Sequence, residues 1–208
     1  LGSPPEFHII EPGSHDGSLC ADLLLEIKKT TPELYQSIHY HLIEATSALK
    51  AAQQAKLAPT FTGKFSTHSS LSKITNVRGA IISNELIDAF PVELIRFEKA
   101  KWHQLFVTTE NDTLTFISEN ITDPKLANFC QSLGHDFPEG YTTEYNPNIE
   151  PFTEDCSEAL SSGLFITIDY GHQSEELYHP DRSTGTLQTY HKHQKSENPL
   201  LFPGEIDI

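Results

Sequence analysis

Residues 7–11 (FHIIE) run directly into Pro12-Gly13-Ser14-His15-Asp16-Gly17, and from Ser18 the apolar residues Leu19, Leu23, Leu24 and Ile27 recur at helical spacing. These pieces read as strand, tight turn and amphipathic helix, the helix stopping at Thr30-Thr31-Pro32. The unit repeats. Residues 38–44 (IHYHLIE) form a second strand, 47–57 an Ala-rich helix ending near Pro59, and 61–65 a third short strand. Residues 79–83 (GAIIS) are a continuous apolar run of the kind a strand covered on both faces requires, and 164–170 (LFITIDY) are another. Asn84-Glu85 follows the first of these and opens a helix limited by Pro91. Between the two apolar runs lie β-rich stretches at 92–97, 102–108 and 114–118, joined by short polar turns at Lys99-Ala100 and Asn111-Asp112. They predict a β-meander inserted at about 92–119. Helices are expected at 124–133 and 149–161, and one late strand at 186–190. Strands alternating with helices predict an α/β fold: a mostly parallel sheet with helices on both faces.

The chain has 208 residues, with 14 Lys+Arg against 29 Asp+Glu and a net charge of −15, which suits one domain. Twelve Phe, seven Tyr and one Trp supply a core. The acidity disfavours a nucleic-acid binder or a polybasic membrane binder. No apolar run approaches the ~20 residues that cross a bilayer, so the chain reads as soluble. Cys20, Cys130 and Cys156 are too widely spaced for a disulfide framework or a Cys-x-x-Cys metal pattern, so they read as free thiols in a reducing compartment. His39/His41 and His191/His193 pair at i, i+2, but no third ligand follows at metal-site spacing, so no metal is expected. Ser14-His15-Asp16 is consecutive and cannot form a triad, and neither a G-x-S-x-G elbow nor a Walker A stretch is present. Beginning at Leu1 without any Met or signal peptide, the chain reads as a segment of a longer protein.

In a parallel sheet, ligands bind beyond the carboxyl ends of the strands, and four expected strands end in Glu11, Glu44, Asn84-Glu85 and Asp169. Gly13 permits a sharp exit from the first strand, with Ser14 and His15 following, and Gly17 allows close backbone approach. Glu44 stands 44 − 11 = 33 residues after Glu11, enough for strand–helix–strand, and can accept both hydroxyls of a ribose. Two acids beside this turn repel a pyrophosphate but suit a cationic sulfonium, which favours S-adenosylmethionine over a nicotinamide dinucleotide. Glu85 and Asp88, three residues apart and on one helical face, could clamp a guanidinium, with Asn84 adjacent. Asp169 and Tyr170 face the same crevice. Each motif also has a plain structural reading: a βα loop, a solvated Glu, an N-cap at Asn84 and a turn Asp at 169.

Taken in order, Glu11-Pro-Gly-Ser-His-Asp-Gly17, Glu44…Leu49-Lys50-Ala-Ala-Gln53, Asn84-Glu85-Leu-Ile-Asp88-Ala-Phe-Pro91-Val92 and Ile168-Asp169-Tyr170-Gly171 resemble the MidA-like family. So do Tyr178…Arg182…Gly185-Thr186-Leu187…Tyr190…His193 and Pro203-Gly204-Glu205-Ile-Asp207. The resemblance implies a Rossmann-like class I methyltransferase fold and S-adenosylmethionine as cofactor. Its implied substrate is a protein, since the family includes an assembly factor for respiratory complex I that dimethylates a protein arginine. It implies the cytoplasm in a bacterium or the mitochondrial matrix in a eukaryote. Carried onto this chain, it places the cofactor at Glu11, Gly13, Ser14, His15, Gly17 and Glu44, and the acceptor at Asn84, Glu85, Asp88, Asp169 and Tyr170. Two departures stand out: His15 replaces the usual middle Gly of the turn, and Lys50 replaces an Arg. The first motivates a rival reading, a non-catalytic binding or assembly protein that keeps the fold.

Overall fold

A computed structural model of the chain describes residues 5–192, 194–196 and 198–205, so the motif residues His193 and Asp207 lie outside the described residues. The chain divides into two compact units, one of residues 1–88 and 149–170, the other of 89–148 and 171–208.

The first unit carries the alternating elements. In chain order they are β1 (Phe7–Pro12), α1 (Ser18–Thr30), α2 (Pro32–Ser37), β2 (Ile38–Ile43), α3 (Ser47–Phe61), β3 (Phe65–His68), β4 (Val77–Asn84) and, after the second unit's first segment, α5 (Ile149–Ala159) and β9 (Leu160–Ile168). The five strands form one sheet in the order β3-β2-β1-β4-β9, every neighbouring pair parallel. Strand alternation sends Ile9, Ile38, Tyr40 and Leu42 to one face, where Cys20, Leu24, Leu57 and Phe61 meet them. The other face carries Ile10, Ile43 and Ile81 against Leu71, Ile74, Cys156 and Ala159. Helices thus cover both faces. Each fully buried Leu contributes about 2 kcal/mol of transfer free energy.

Four local readings change. Pro32, expected as a stop, begins α2, because a missing N–H costs nothing in a first helical turn. Pro59 does not end α3, which continues to Phe61, a side chain buried in the first core. Residues 85–88 form no helix: Glu85 takes a left-handed φ of 44°, so Glu85 and Asp88 share no helical face. The apolar run of β9 lies at the sheet edge, with Leu164 and Ile168 more than half exposed, rather than covered on both sides.

The second unit holds the meander, β5 (Glu93–Glu98), β6 (Lys101–Glu110) and β7 (Thr113–Asn120), followed by α4 (Pro124–Leu133). A fourth antiparallel strand, β8 (Thr142–Tyr145), joins it in the order β7-β6-β5-β8. Ile95, Phe97, Trp102, Leu126, Cys130 and Tyr141 form its core. The remaining elements are α6 (Ser174–Leu177) and the hairpin of β10 (Thr189–His191) and β11 (Gln194–Ser196). The Glu144 carboxylate accepts the N–H groups of Thr186 and Leu187 at 2.8 and 2.9 Å, tying the 185–187 segment to β8. All three cysteines are free and buried, one in each core: Cys20, Cys156 and Cys130.

Gly79 of β4 pairs with His8 on one side and Gly163 on the other, and a Cβ at Gly79 would run into the His8 carbonyl oxygen. Gly79→Ala is expected to lower the unfolding free energy by about 3 kcal/mol, because rigid backbone must shift. Urea denaturation measures it, and an unchanged midpoint would show that β1 and β4 part easily there.

Candidate functional site

Parallel registers bring the strand ends to one rim of the first unit. Pro12 lies beside Ile43, Ile43 beside His68, Ile10 beside Ile81 and Asn84 beside Ile168. The chain leaves β1 through a turn with left-handed backbone at Gly13 (φ 71°), His15 (42°) and Gly17 (79°). The N–H groups of Gly13 and Ser14 both donate to the Ile43 carbonyl, at 3.1 and 3.3 Å, which pins the turn to the end of β2. Leu86 Cδ1 would lie 2.7 Å from a Cβ on Gly13, so the segment after β4 closes directly over that glycine.

Helix α3 supports the turn from beside it. Gln53, fully buried, donates to the Ser14 hydroxyl at 3.0 Å and to the His15 carbonyl at 2.7 Å. Lys56 pairs with Asp16 at 2.8 Å, and the Asp16 carboxylate accepts the Ser18 N–H at the start of α1. Hydrogen bonds from Lys56 and Ser18 hold the Asp16 carboxyl well below the usual carboxylate range. The His15 side chain is 78% exposed and does not fill the turn.

Glu44 follows β2 directly. Its N–H donates to the His68 carbonyl at 2.9 Å, and its Oε1 accepts the Thr46 N–H at 2.9 Å, which orients a half-buried carboxylate at the rim. On the β4 side, Glu85 N–H donates to the Ile168 carbonyl at 2.8 Å. Asp169 Oδ2 accepts the N–H of Ile87 at 3.0 Å, with that of Asp88 at 3.4 Å, and its Oδ1 accepts the Tyr170 N–H at 2.9 Å. The Tyr170 hydroxyl donates to Asp88, which pushes the phenol pKa up to about 12. Among the described residues no hydrogen bond or ion pair engages the Glu85 carboxylate, and Asn84 and Glu85 are exposed.

The structure therefore gathers Gly13–Gly17, Glu44, Asn84, Glu85, Asp88, Asp169 and Tyr170 along one rim of the first unit. Glu11 is the exception. It lies one residue before the end of β1, is 6% exposed as a residue, and its carboxyl accepts the Tyr40 hydroxyl at 2.8 Å on the face of the first core. Leu86, Lys56 and Tyr40 were not singled out from the sequence. Only a side chain's reach across the rim reveals the first two, and Tyr40 reads as an ordinary strand aromatic.

The whole chain, residues 1–208, matches the model of a family described as "Putative S-adenosyl-L-methionine-dependent methyltransferase". It is 23% identical to the mitochondrial protein arginine methyltransferase NDUFAF7 homolog of Drosophila melanogaster, over 100% of this chain and 51% of that protein. It is likewise 23% identical to NDUFAF7 of Mus musculus, over 100% and 50%. The chain spans about half the length of these curated relatives. Two crystal structures of one superfamily from Burkholderia thailandensis share its fold. One, a native structure, has a TM-score of 0.84 at 26% identity, covering 97% of this chain and 53% of that one. The other, bound to S-adenosyl-homocysteine, has a TM-score of 0.85 at 25% identity, covering 100% and 53%.

Burial raises the Glu11 carboxyl to about 7 from 4.5; the Tyr40 hydrogen bond opposes this and the Asp16 charge adds to it. Between pH 4.5 and 7 the folded chain therefore holds a proton that the unfolded chain has lost, so this group's contribution to stability falls as pH rises through that window. The difference is on the order of 3 kcal/mol. Urea denaturation at pH 4.5 and 7.5 should show wild type losing that much more stability than Glu11→Gln. Parallel pH profiles would place Glu11 in contact with water.

Proposed function

The chain belongs to this S-adenosyl-L-methionine-dependent methyltransferase family, and we propose that its rim binds that methyl donor and presents it to a protein arginine. The observation that carries the reading is the turn with left-handed residues 13, 15 and 17, pinned to the end of β2 with Glu44 immediately beyond. The residues present fit the donor. Gly13 keeps the turn tight under Leu86, and Ser14, His15 and Gly17 line it with backbone and no inward bulk. Glu44, already oriented by Thr46, would accept the two ribose hydroxyls. Glu11, two residues before Gly13 and hydrogen-bonded by Tyr40, would favour a nearby cation whenever it is ionised.

When bound, the donor supplies a methyl group on a positively charged sulfur. The rest is alignment and proton handling by this chain, where orientation alone can contribute ~7–11 kcal/mol. A guanidinium is protonated at neutral pH, so the attacking nitrogen must lose a proton during transfer. Asp169 is occupied with backbone N–H groups and acts by holding residues 85–88 in place. Asp88, steadied by Tyr170, and Glu85, with its carboxylate unengaged, would hold the guanidinium, and Glu85 would take the proton. Asn84 offers an amide beside them.

The protein-arginine acceptor is supported by the names of the two relatives that match the whole chain. The family resemblance extends the proposal to a subunit of respiratory complex I as partner, and to the mitochondrial matrix if the chain is eukaryotic.

Isothermal titration with S-adenosyl-homocysteine should give saturable binding. Glu44→Ala should weaken it by ~1–3 kcal/mol, about 5- to 150-fold, through loss of a charged acceptor. No heat with the folded wild-type chain would remove the cofactor reading. Tritiated methyl should pass from S-adenosylmethionine to a basic protein and be recovered as methylarginine, and Glu85→Gln should slow this by about 100-fold or more. Binding without transfer would instead favour a non-catalytic assembly protein.

A further inference from the structure

His8 on β1, His39 and His41 on β2 and His68 on β3 sit on the same face of the sheet, that of Ile10 and Ile43. Together with Ser66 they form one hydrogen-bonded network. His8 Nδ1 lies 2.8 Å from His41 Nε2, and His41 Nδ1 lies 3.1 Å from His68 Nε2. The Ser66 hydroxyl is within 3.1 Å of a ring nitrogen from each of His39, His41 and His68. The His8 and His41 rings stack at 5.1 Å, and His39 meets His41 edge-on at 4.7 Å.

Such a network closes with every ring neutral, and it tolerates an added proton only where both neighbouring rings can turn acceptor nitrogens toward it. Each nitrogen pair shares one proton, so His41 must donate through one nitrogen and accept through the other. An imidazolium donates from both nitrogens, so protonating a second, neighbouring ring sets N–H against N–H and places like charges about 5 Å apart. Little nearby offsets that charge. Glu6 lies 3.6 Å from His8 Nε2 but is 70% exposed, while Lys64 adds positive charge near His39. Across the face stand Leu71, Ile74, Ala159, partly buried Phe152, and the thiol of Cys156, which burial pushes up to about 12. Among the described residues no three His, Cys, Asp or Glu side chains converge on a metal position, so the chemistry this cluster offers is that of protons.

Its position matters because β3 is a four-residue edge strand. Tyr40 N–H to the Lys64 carbonyl at 2.8 Å, and Glu44 N–H to the His68 carbonyl at 2.9 Å, fasten β2 to this edge and its approach. We propose that the four-histidine cluster is a proton-operated catch, which at neutral pH locks β3 to β2 and steadies Glu44, and in mild acid lets that edge open.

The electrostatics agree in sign. Burial first, then its three histidine neighbours, lower His41 to about 3, and burial also lowers His39 and His68 from 6.5. Opened histidines therefore bind protons before closed ones as pH falls below 6.5, so the closed edge loses stability from there downward.

Amide exchange of the 208-residue chain, expressed as protection factors at pH 7.5 and 5.5, tests the catch. The Tyr40 and Glu44 amides should lose about 100-fold in protection, the effect of two protons over one pH unit, while the β4 amides facing β1 stay nearly constant. His41→Gln/His68→Gln should abolish that pH dependence. In case this double variant does not fold, NMR titration of the wild-type imidazoles gives a second reading, with His39, His41 and His68 all expected to ionise below the ordinary 6.5 and His41 the lowest. Rings that all titrate near 6.5, or a loss of protection spread evenly over the sheet, would overturn the proposal. Neither measurement involves a methyl donor, so failure here leaves the cofactor reading standing, and failure of that reading leaves the catch standing.

Discussion

One carbonyl oxygen, that of Ile43, governs the rim. It accepts the N–H groups of Gly13 and Ser14, so the chain leaving β1 is held to the end of β2 before α1 begins. Without that fixture the amides of Gly13 and Ser14 would lose their partner, and α1 would lose its starting angle. Gln53 and Lys56 of α3 secure the turn from the side, through Ser14, His15 and Asp16. The turn is thus the joint of two strand–helix units, which explains why the residues around it are occupied by one another.

The acids along the rim divide their duties according to what already holds them. Asp169 is occupied by three backbone N–H contacts and acts as a fastening between β9 and the segment after β4. Asp16 is neutralised by Lys56, and Asp88 is steadied by Tyr170. Glu11 is withdrawn into the core. Glu44 and Glu85 remain facing outward, one on each flank of the turn. A row of carboxylates that looks uniform in the sequence is, in three dimensions, two outward-facing groups and several already engaged by the chain itself.

The sheet was legible because its strands are apolar runs and its turns carry Gly and Pro at the expected places; β1, β2, β4 and α4 fall within a residue or two of their sequence readings. The convergence of Glu44, Glu85 and Asp169 at one rim was legible too, since parallel strands all end on the same side. What escaped was tertiary. Pro32 and Pro59 look locally like breakers, yet a first-turn site and a buried Phe61 make them compatible with helix. Residues 85–88 look helical locally, because nothing near them in sequence announces that the Asp169 carboxylate, just past the end of β9, takes their N–H groups. Glu11 was read as facing a ligand, but in β1 it shares a face with Ile9, and alternation turns it inward. The i, i+2 histidine pair at 39 and 41 was visible, whereas its partners on β1 and β3 emerge only from strand register.

The cysteines lend themselves to a different use. Each hydrophobic core contains one thiol, and burial raises Cys20 and Cys156 to about 12 and Cys130 to about 11, so none presents a reactive thiolate while its surroundings are closed. The molecule carries its own three-channel recorder of breathing: an alkylating reagent would mark position 20, 156 or 130 only when that particular core loosens, and the order of marking would rank the cores by how readily they come apart.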